Sequence, residues 1–505
     1  MVKPTVRMRA SSSPAAGMHN FDAALRAWAV DYQDADGDLR ELDAQRAMGY
    51  QLAKENPIAI GALNTQVTNV IGTGLRLQAS VDRDYLQRKY SISTEELDKW
   101  ETARESNFRG LTESLDCDLE RQQTFYDLQA LMLRTELAAG DSFAPMPYVR
   151  RRNSPYGIKI QPIDPARISN ENNAINAPQL AGGIQRDRRG AVVAYHVRDS
   201  HPYTTKGDNK FTWTKIQAFG RQTGRRNMIH MFNKTNVGVS ASRGRPVFAP
   251  LVKTLKQLGR YTDAELMAAV IQSFFTVFVQ TEDGAGLTHG NEDNSNVEVQ
   301  ANDFALGMGN IIDLAPNEKI EMAKADRPNA GFDGFMMSML RQIGMTLNIP
   351  YEVLIKHFQS SYSAARAAML EYWKAVREMR QHCAMHFCQI YYENWLAEEI
   401  AIGRAEAPGF FTDPMARLAW SGAFWIGPPR GMIDPVKEVA AELDLNEAAL
   451  KTKSDISMEL LGKDWDSTFH RWTREKRMLE AEGITATPGR TKEILAQPPE
   501  PVEED

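Results

Sequence analysis

The feature that most constrains this chain is SYSAARAAMLEYWKAVREMRQHCAMHFCQIYYENWLAEEIAIG (361–403), which contains no proline and no glycine before its last residue. Read as one helix, the stretch 362–402 is about 60 Å long at 1.5 Å per residue, several times the usual helix length. Its apolar positions, Ala365, Met369, Tyr372, Val376, Met379, Cys383, Phe387, Ile390 and Trp395, drift slowly around one side. A helix of that length needs neighbours all along it. Copies packed side by side in a ring would supply them, and so would the core of a large monomeric α domain; the helix pattern does not separate the two. Just upstream, GFDGFMMSMLRQIGMTLN (331–348) places Phe332, Phe335, Met336, Met339, Leu340, Ile343 and Leu347 at the spacing of one helical face. That helix should stop at Asn348-Ile349-Pro350, because proline drives the preceding residue out of the α region. The remainder, Tyr351–Ser361, reads as a loop.

The 505 residues suffice for two or three domains with adequate cores. No apolar run is long enough to span a bilayer, so no membrane association is expected. The opening residues 1–20 lack the apolar region of a secretory signal and read as a disordered arm. Three cysteines, Cys117, Cys383 and Cys388, form no disulfide framework and fit a reducing, cytoplasmic place of synthesis. The net charge of −6 argues against a tight non-specific nucleic-acid binder. It is compatible with a protein past which DNA slides, since each neutralised phosphate adds affinity through counterion release.

In chain order, the acidic run Asp31–Asp43 fails the calcium-loop pattern, with glycine at the fourth place and Gln45 at the twelfth. Asp38 and Glu41 read as a capping box opening a helix to about Glu55. A second helix ends at Gly72-Thr-Gly74, a short strand covers Leu75–Ala79, and 82–140 is helical, with a start at Ser93 or Thr94. From Asp141 to about Phe232, short strands are expected in SFAPMPYV, GIKIQPI, AVVAYHV, FTWTKI and MIHMF. Arginine is dense there (Arg150, Arg151, Arg152, Arg186, Arg188, Arg189, Arg221, Arg225, Arg226, Arg243 and Arg245). Such a cluster serves either nucleic-acid contact or, more commonly, solvated loops and ion pairs. A helix over 246–275 follows, then an insert, 276–327, with strands TVFVQT, NVEVQ and NIIDL around a glycine- and asparagine-rich hairpin. The insert leads into 328–348, so two helices flank a small β module and must run back alongside each other. Beyond Gly403 come an aromatic segment to Trp425, a break at Gly427-Pro-Pro429, helices to about 484, and a polar, proline-rich tail, 485–505, that reads as disordered. The fold class is α+β, mainly helical.

No catalytic motif is complete. The phosphate-binding GxxxxGK[ST] loop is missing, Gly284-Ala-Gly286 lacks its third glycine, and Gly238-Val-Ser240-Ala-Ser242 misses the nucleophile elbow by one glycine. His382 and His386 share a helical face at a zinc-compatible spacing, with Cys383 and Cys388 pointing elsewhere and no carboxylate between the histidines. Packing or inter-helix hydrogen bonding suits them better than a metal, and no cofactor is expected.

With these parts in order, the sequence resembles the portal proteins of lambda-like tailed phages. The resemblance covers about Asp38 to Gly483 and is carried by LNTQVTNVIGTGLRLQ (63–78), RGRPVFAPLVKTLKQLGRYTDAELMAAV (243–270), NIPYEVL (348–354) with SYSAARAAMLEYW, and GMIDPVKEVAA (431–441). It implies a ring, usually of twelve subunits, at one capsid vertex, through which double-stranded DNA enters and leaves. The implied parts are a wing (20–245 with 403–428), stem helices (246–275 and 328–348), a clip (276–327), a tunnel loop (349–361), the long helix (362–402) and a crown (429–484). Implied partners are the terminase large subunit, a head-completion or adaptor protein, and the major capsid protein or scaffold. By analogy, Lys356, His357, Gln359, Ser360, Ser361 and Arg366 face the DNA. The competing readings are another head or neck ring, such as an adaptor, and a zinc-dependent hydrolase using His382 and His386. Length and the insert-between-helices order disfavour the adaptor.

Overall fold

The computed structural model describes residues 36–204, 211–273, 277–281, 318–322, 331–357, 362–432 and 434–482. The expected arm, tail and most of the insert 276–327, including NVEVQ and NIIDL, lie outside the described residues. Two helices open the described chain, α1 (Leu42–Glu55) and α2 (Pro57–Val70). Asn56 separates them and accepts from the amides of Ile58 and Ala59, at 3.1 and 3.0 Å, with Pro57 at the first helical position. The capping box expected of Asp38 and Glu41 is absent. Residues Gly37–Arg40 already turn as a 3₁₀ helix, so Glu41 enters α1 in helical geometry and caps nothing. After β1 (Arg76–Ala79) come α3 (Arg83–Tyr90), α4 (Thr94–Thr112) and α5 (Phe125–Ala139). Ser93 with Glu96, and Thr124 with Asp127, form reciprocal capping boxes, and Gly140 closes α5 in the left-handed region, φ 95°.

The β region consists of β2 (Ser142–Pro145), β3 (Leu180–Ala181), β4 (Ile184–Arg186), β5 (Val192–Arg198), β6 (Trp213–Gln217) and β7 (Met228–Met231). β3 to β6 form an antiparallel sheet in sequence order, and β2 pairs separately with β7. GIKIQPI (157–163) is not a strand. Its residues make single bridges to three different partners, Ile158 to Tyr148, Ile160 to Asp118 and Ile163 to Phe143.

A 3₁₀ turn, Ala249–Leu251, leads into α6 (Val252–Ser273). Strands β8 (Val277–Thr281) and β9 (Glu318–Met322) pair antiparallel, and α7 (Phe332–Thr346) follows. The helices on either side of the insert do meet: Tyr261 stacks on Phe332 at 5.5 Å and packs edge-on against Phe335 at 4.9 Å. The stretch Tyr351–Ser361 is not all loop, because Tyr351–Ile355 forms a short helix, α8, that buries Val353 and Leu354.

The long helix is α9 (Tyr362–Cys383) and α10 (Gln389–Ala401), joined without a break by a π turn, Ala384–Cys388. The wider turn inserts the slack that moves the apolar stripe around the axis. Of the two ways left open for covering this stripe, the chain's own core takes the second half. Phe387 and Tyr391 stack on Phe125, at 5.4 and 5.2 Å, and Trp395 packs against Phe108 at 5.0 Å. Tyr372, Val376, Cys383, Phe387, Tyr391, Tyr392 and Trp395 are all buried, whereas Ser363, Ala364, Ala367 and Leu370 are exposed. Among the described residues, the first turns are therefore left open, as are Met385 and Ile402 further along.

α11 (Pro414–Trp420) and β10 (Ala423–Ile426) return to the first helices, β10 pairing with β1. Arg380 locks this return: its guanidinium donates to Val70 O (3.2 Å), Asn69 O (3.0 Å) and Pro428 O (2.9 Å). The chain ends in α12 (Pro435–Glu447), α13 (Lys453–Leu461) and α14 (Trp465–Ala481). Lys451 bridges Glu442 and Glu459 at 2.6 and 2.7 Å, tying α12 to α13. The architecture is α+β and mainly helical.

Candidate nucleic-acid interface

The junction between α7 and α8 leads into two of the expected contact residues, Lys356 and His357, from a buried base. Asn348 takes φ 54°, and the Ile349 amide folds back to the Gly344 carbonyl at 2.8 Å. A side chain at Gly344 would meet Ile349 O at 2.5 Å, so this reversal requires glycine. Gln66 Nε2 donates to Leu347 O at 3.0 Å from α2, and Ile343, Leu347, Ile349, Val353 and Leu354 anchor the junction in the core. Lys356 then closes α8 in the left-handed conformation, φ 56°, with the His357 amide bonded to Glu352 O at 3.1 Å. Lys356 and His357 are therefore exposed on one tight turn. Gln359, Ser360 and Ser361 lie outside the described residues, and Arg366 is half-buried on the first turns of α9. Among the described residues, none of Lys356, His357 and Arg366 has an ion-pair partner. Chemically, the turn presents one lysine cation and one imidazole on a backbone held by the buried residues beneath it.

His382 and His386 do something else. His382 Nε2 lies 2.9 Å from Glu136 Oε1 on α5, and His386 Nδ1 lies 3.1 Å from His382 O. Cys383 and Cys388 are buried, which pushes both thiols well above their usual range. Among the described residues, no three histidine, cysteine or acidic side chains group to hold a metal ion. Burial opposes protonation of His382, but the hydrogen bond and charge of Glu136 outweigh it, and the imidazole is raised above its ordinary 6.5. A raised value means that this contribution is full below about pH 6.5 and is lost as pH rises through the folded value. The expected result is that wild type loses stability between pH 6 and pH 8 relative to His382→Gln. The difference is on the order of 1 kcal/mol, the scale of one hydrogen bond, read by denaturant unfolding at both pH values.

Several arginines of the dense region are structural. Arg243 is buried, its Nε 2.5 Å and its Nη2 3.2 Å from Asp141, and it also donates to Ile168 O, Gly182 O and Pro165 O. Arg186 pairs with Asp36 at 2.6 Å, Arg151 donates to Leu119 O, Arg225 donates to Met146 O, and Arg226 lies over Phe219. These arginines hold loops together, which is the commoner of the two uses expected for them. The Asp141 cluster and the Arg380 lock were not legible beforehand, because their partners are distant in sequence and no local spacing marks them.

No described helix is long and apolar enough to cross a membrane. The lambda-family phage portal protein model matches residues 21–380. Portal protein B of Escherichia phage lambda is 26% identical over 494 residues, covering 93% of this chain and 90% of the relative. The portal protein of Escherichia phage N15 is 26% identical over 509 residues, covering 93% and 91%. Among solved structures, a chain from the neck of a native gene transfer agent particle, computed with C12 symmetry, aligns over 75% of this chain and 92% of its own, with TM-score 0.39 and 12% identity. A chain from the neck of the empty particle aligns over 83% and 92%, with TM-score 0.40 and 12% identity. With the family model covering well over half of the sequence, this chain belongs to the lambda family of phage portal proteins.

Proposed function

We propose that the chain is the subunit of a ring at one capsid vertex, usually of twelve copies in this family, through which double-stranded DNA is packaged and later ejected. The observation that carries the reading is the β8–β9 pair set between α6 and α7, two helices joined at Tyr261, within a chain that matches the portal family. In this reading α6 and α7 are the stem and the insert 276–327 is the clip on which the terminase large subunit and then a head-completion or adaptor protein dock. Residues 349–361 line the tunnel, with Lys356, His357, Gln359, Ser360, Ser361 and Arg366 toward the DNA. The segments 20–245 and 403–428 make the wing against the major capsid protein or scaffold, and 429–484 make the crown. The ring is assembled in the host cytoplasm and stays in the virion. Its role is structural, without catalysis of its own.

Two features support repetition around an axis. The exposed first turns of α9, and Leu266 and Met267 on α6 (65% and 60% exposed), are surfaces that one copy leaves uncovered. Native mass of the purified chain tests the ring: a closed multiple of about 57 kDa is expected, and a monomer at micromolar concentration would sink the proposal.

A further inference from the structure

The last helix carries two opposed faces. Trp465, Phe469 and Trp472 recur at i, i+4 and i+7 and stack in series, with centroids 5.9 and 6.1 Å apart. Lys453 of α13 lies over Trp465 at 5.6 Å, so the near end of this face meets the chain's own helices, while Phe469 and Trp472 are 44% and 55% exposed. Rotated roughly half a turn around the helix, at 3.6 residues per turn, are His470, Arg474 and Arg477, with Arg471 beside them. All four are exposed. Among the described residues, none of Arg471, Arg474 and Arg477 has an ion-pair partner. A shallow open depression along this face is lined by His470, Thr473, Arg474, Arg477, Met478 and Ala481, all from α14 itself, so among the described residues no other element closes over it.

We propose that this face of α14 is a binding surface for the sugar–phosphate backbone of duplex DNA, separate from the turn at Lys356. The charge argues for a polyanion: between Arg471 and Arg477 stand four cations and one carboxylate, in a protein whose net charge is −6. The shape argues for a duplex rather than an acidic peptide. A convex helix face with only a shallow open depression suits a uniform, regularly spaced row of phosphates, and guanidinium groups pair with phosphate oxygens in a forked geometry. Contact of this kind is independent of sequence and dependent on salt.

The test uses the full-length protein and covalently closed circular duplex DNA, which cannot thread a closed ring and so bypasses the tunnel altogether. Binding is measured across a salt series for wild type, Arg471→Gln/Arg474→Gln/Arg477→Gln, and the charge-retaining Arg471→Lys/Arg474→Lys/Arg477→Lys. The glutamine variant is expected to bind at least tenfold more weakly near 100 mM salt. Its log–log salt slope should fall by about 2–3, at roughly 0.9 per lost phosphate contact, and the lysine variant should restore most of both. Equal affinity and slope in wild type and the glutamine variant overturn the proposal. So does tighter binding to phosphatidylglycerol vesicles than to DNA, which assigns the face to a lipid surface. Loss of the native oligomer in the glutamine variant alone also overturns it, assigning the face to a second copy of the chain. None of these outcomes bears on the tunnel residues, whose role is tested separately.

Discussion

Asp141→Asn is expected to lower the unfolding free energy by about 3–5 kcal/mol, the cost of removing one partner from a buried ionic cluster. Asp141 is fully buried at the end of α5, 3.0 Å from Arg46 Nη2 and 2.5 Å from Arg243 Nε. Arg243 in turn holds the carbonyls of Ile168, Gly182 and Pro165, so the carboxylate joins the helical layer to the β3–β6 region. The amide keeps the shape but leaves the Arg243 guanidinium in the interior without a counter-charge, and Arg46 with only the exposed Asp43, 3.6 Å away. Burial raises a carboxyl in such a place, yet Arg243 and Arg46 dominate and hold Asp141 well below the usual carboxylate range. A depressed value contributes stability above the unfolded pKa of about 3.9 that is lost as pH falls. Wild type should therefore destabilise steeply below about pH 4, and the Asn variant much less. Denaturant unfolding of both proteins at neutral pH and near pH 3 reads both effects. A neutral-pH difference below about 1 kcal/mol would show that the cluster is not the joint proposed.

The second large effect is functional. Lys356→Glu/His357→Glu should leave ring assembly intact and reduce packaged-DNA yield by an order of magnitude or more. Both residues sit on an exposed turn beyond the buried Val353 and Leu354, so the change removes no core contact. Around a ring it replaces each subunit's cation and imidazole with two carboxylates, turning weak phosphate attraction into repulsion at close range, where screening by salt is least. Normal DNA yield in the double variant would remove Lys356 and His357 from the channel.

The helices were legible where their signals were local. The helix end near Glu55 and the start at Ser93 are marked by residues close to each terminus, and the structure puts those termini there, whereas the box of Thr124 with Asp127 was not read. The strands were only partly legible. GIKIQPI has a strand's composition, but strand pairing depends on what lies opposite, and its bridges go to three different segments. The π turn at Ala384–Cys388 left no trace in the residue pattern, so the apolar stripe of α9 and α10 was read as one slow drift. That concealed how completely Phe108 and Phe125 enclose the stripe's second half. Of the candidate contact residues, Lys356 and His357 were named only through the family resemblance, as polar residues of the expected loop 349–361. The Asp141–Arg243 pair was not legible, since 102 residues separate its partners.

The measurement that bears most directly on the central claim is an electron-microscopy map of the assembled chain, with the turn at Lys356 located relative to the symmetry axis. A closed ring is expected, with an opening wide enough for duplex DNA and with Lys356 and His357 at its rim. A solitary subunit, or a ring whose opening is lined by other segments while Lys356 faces outward, would contradict it.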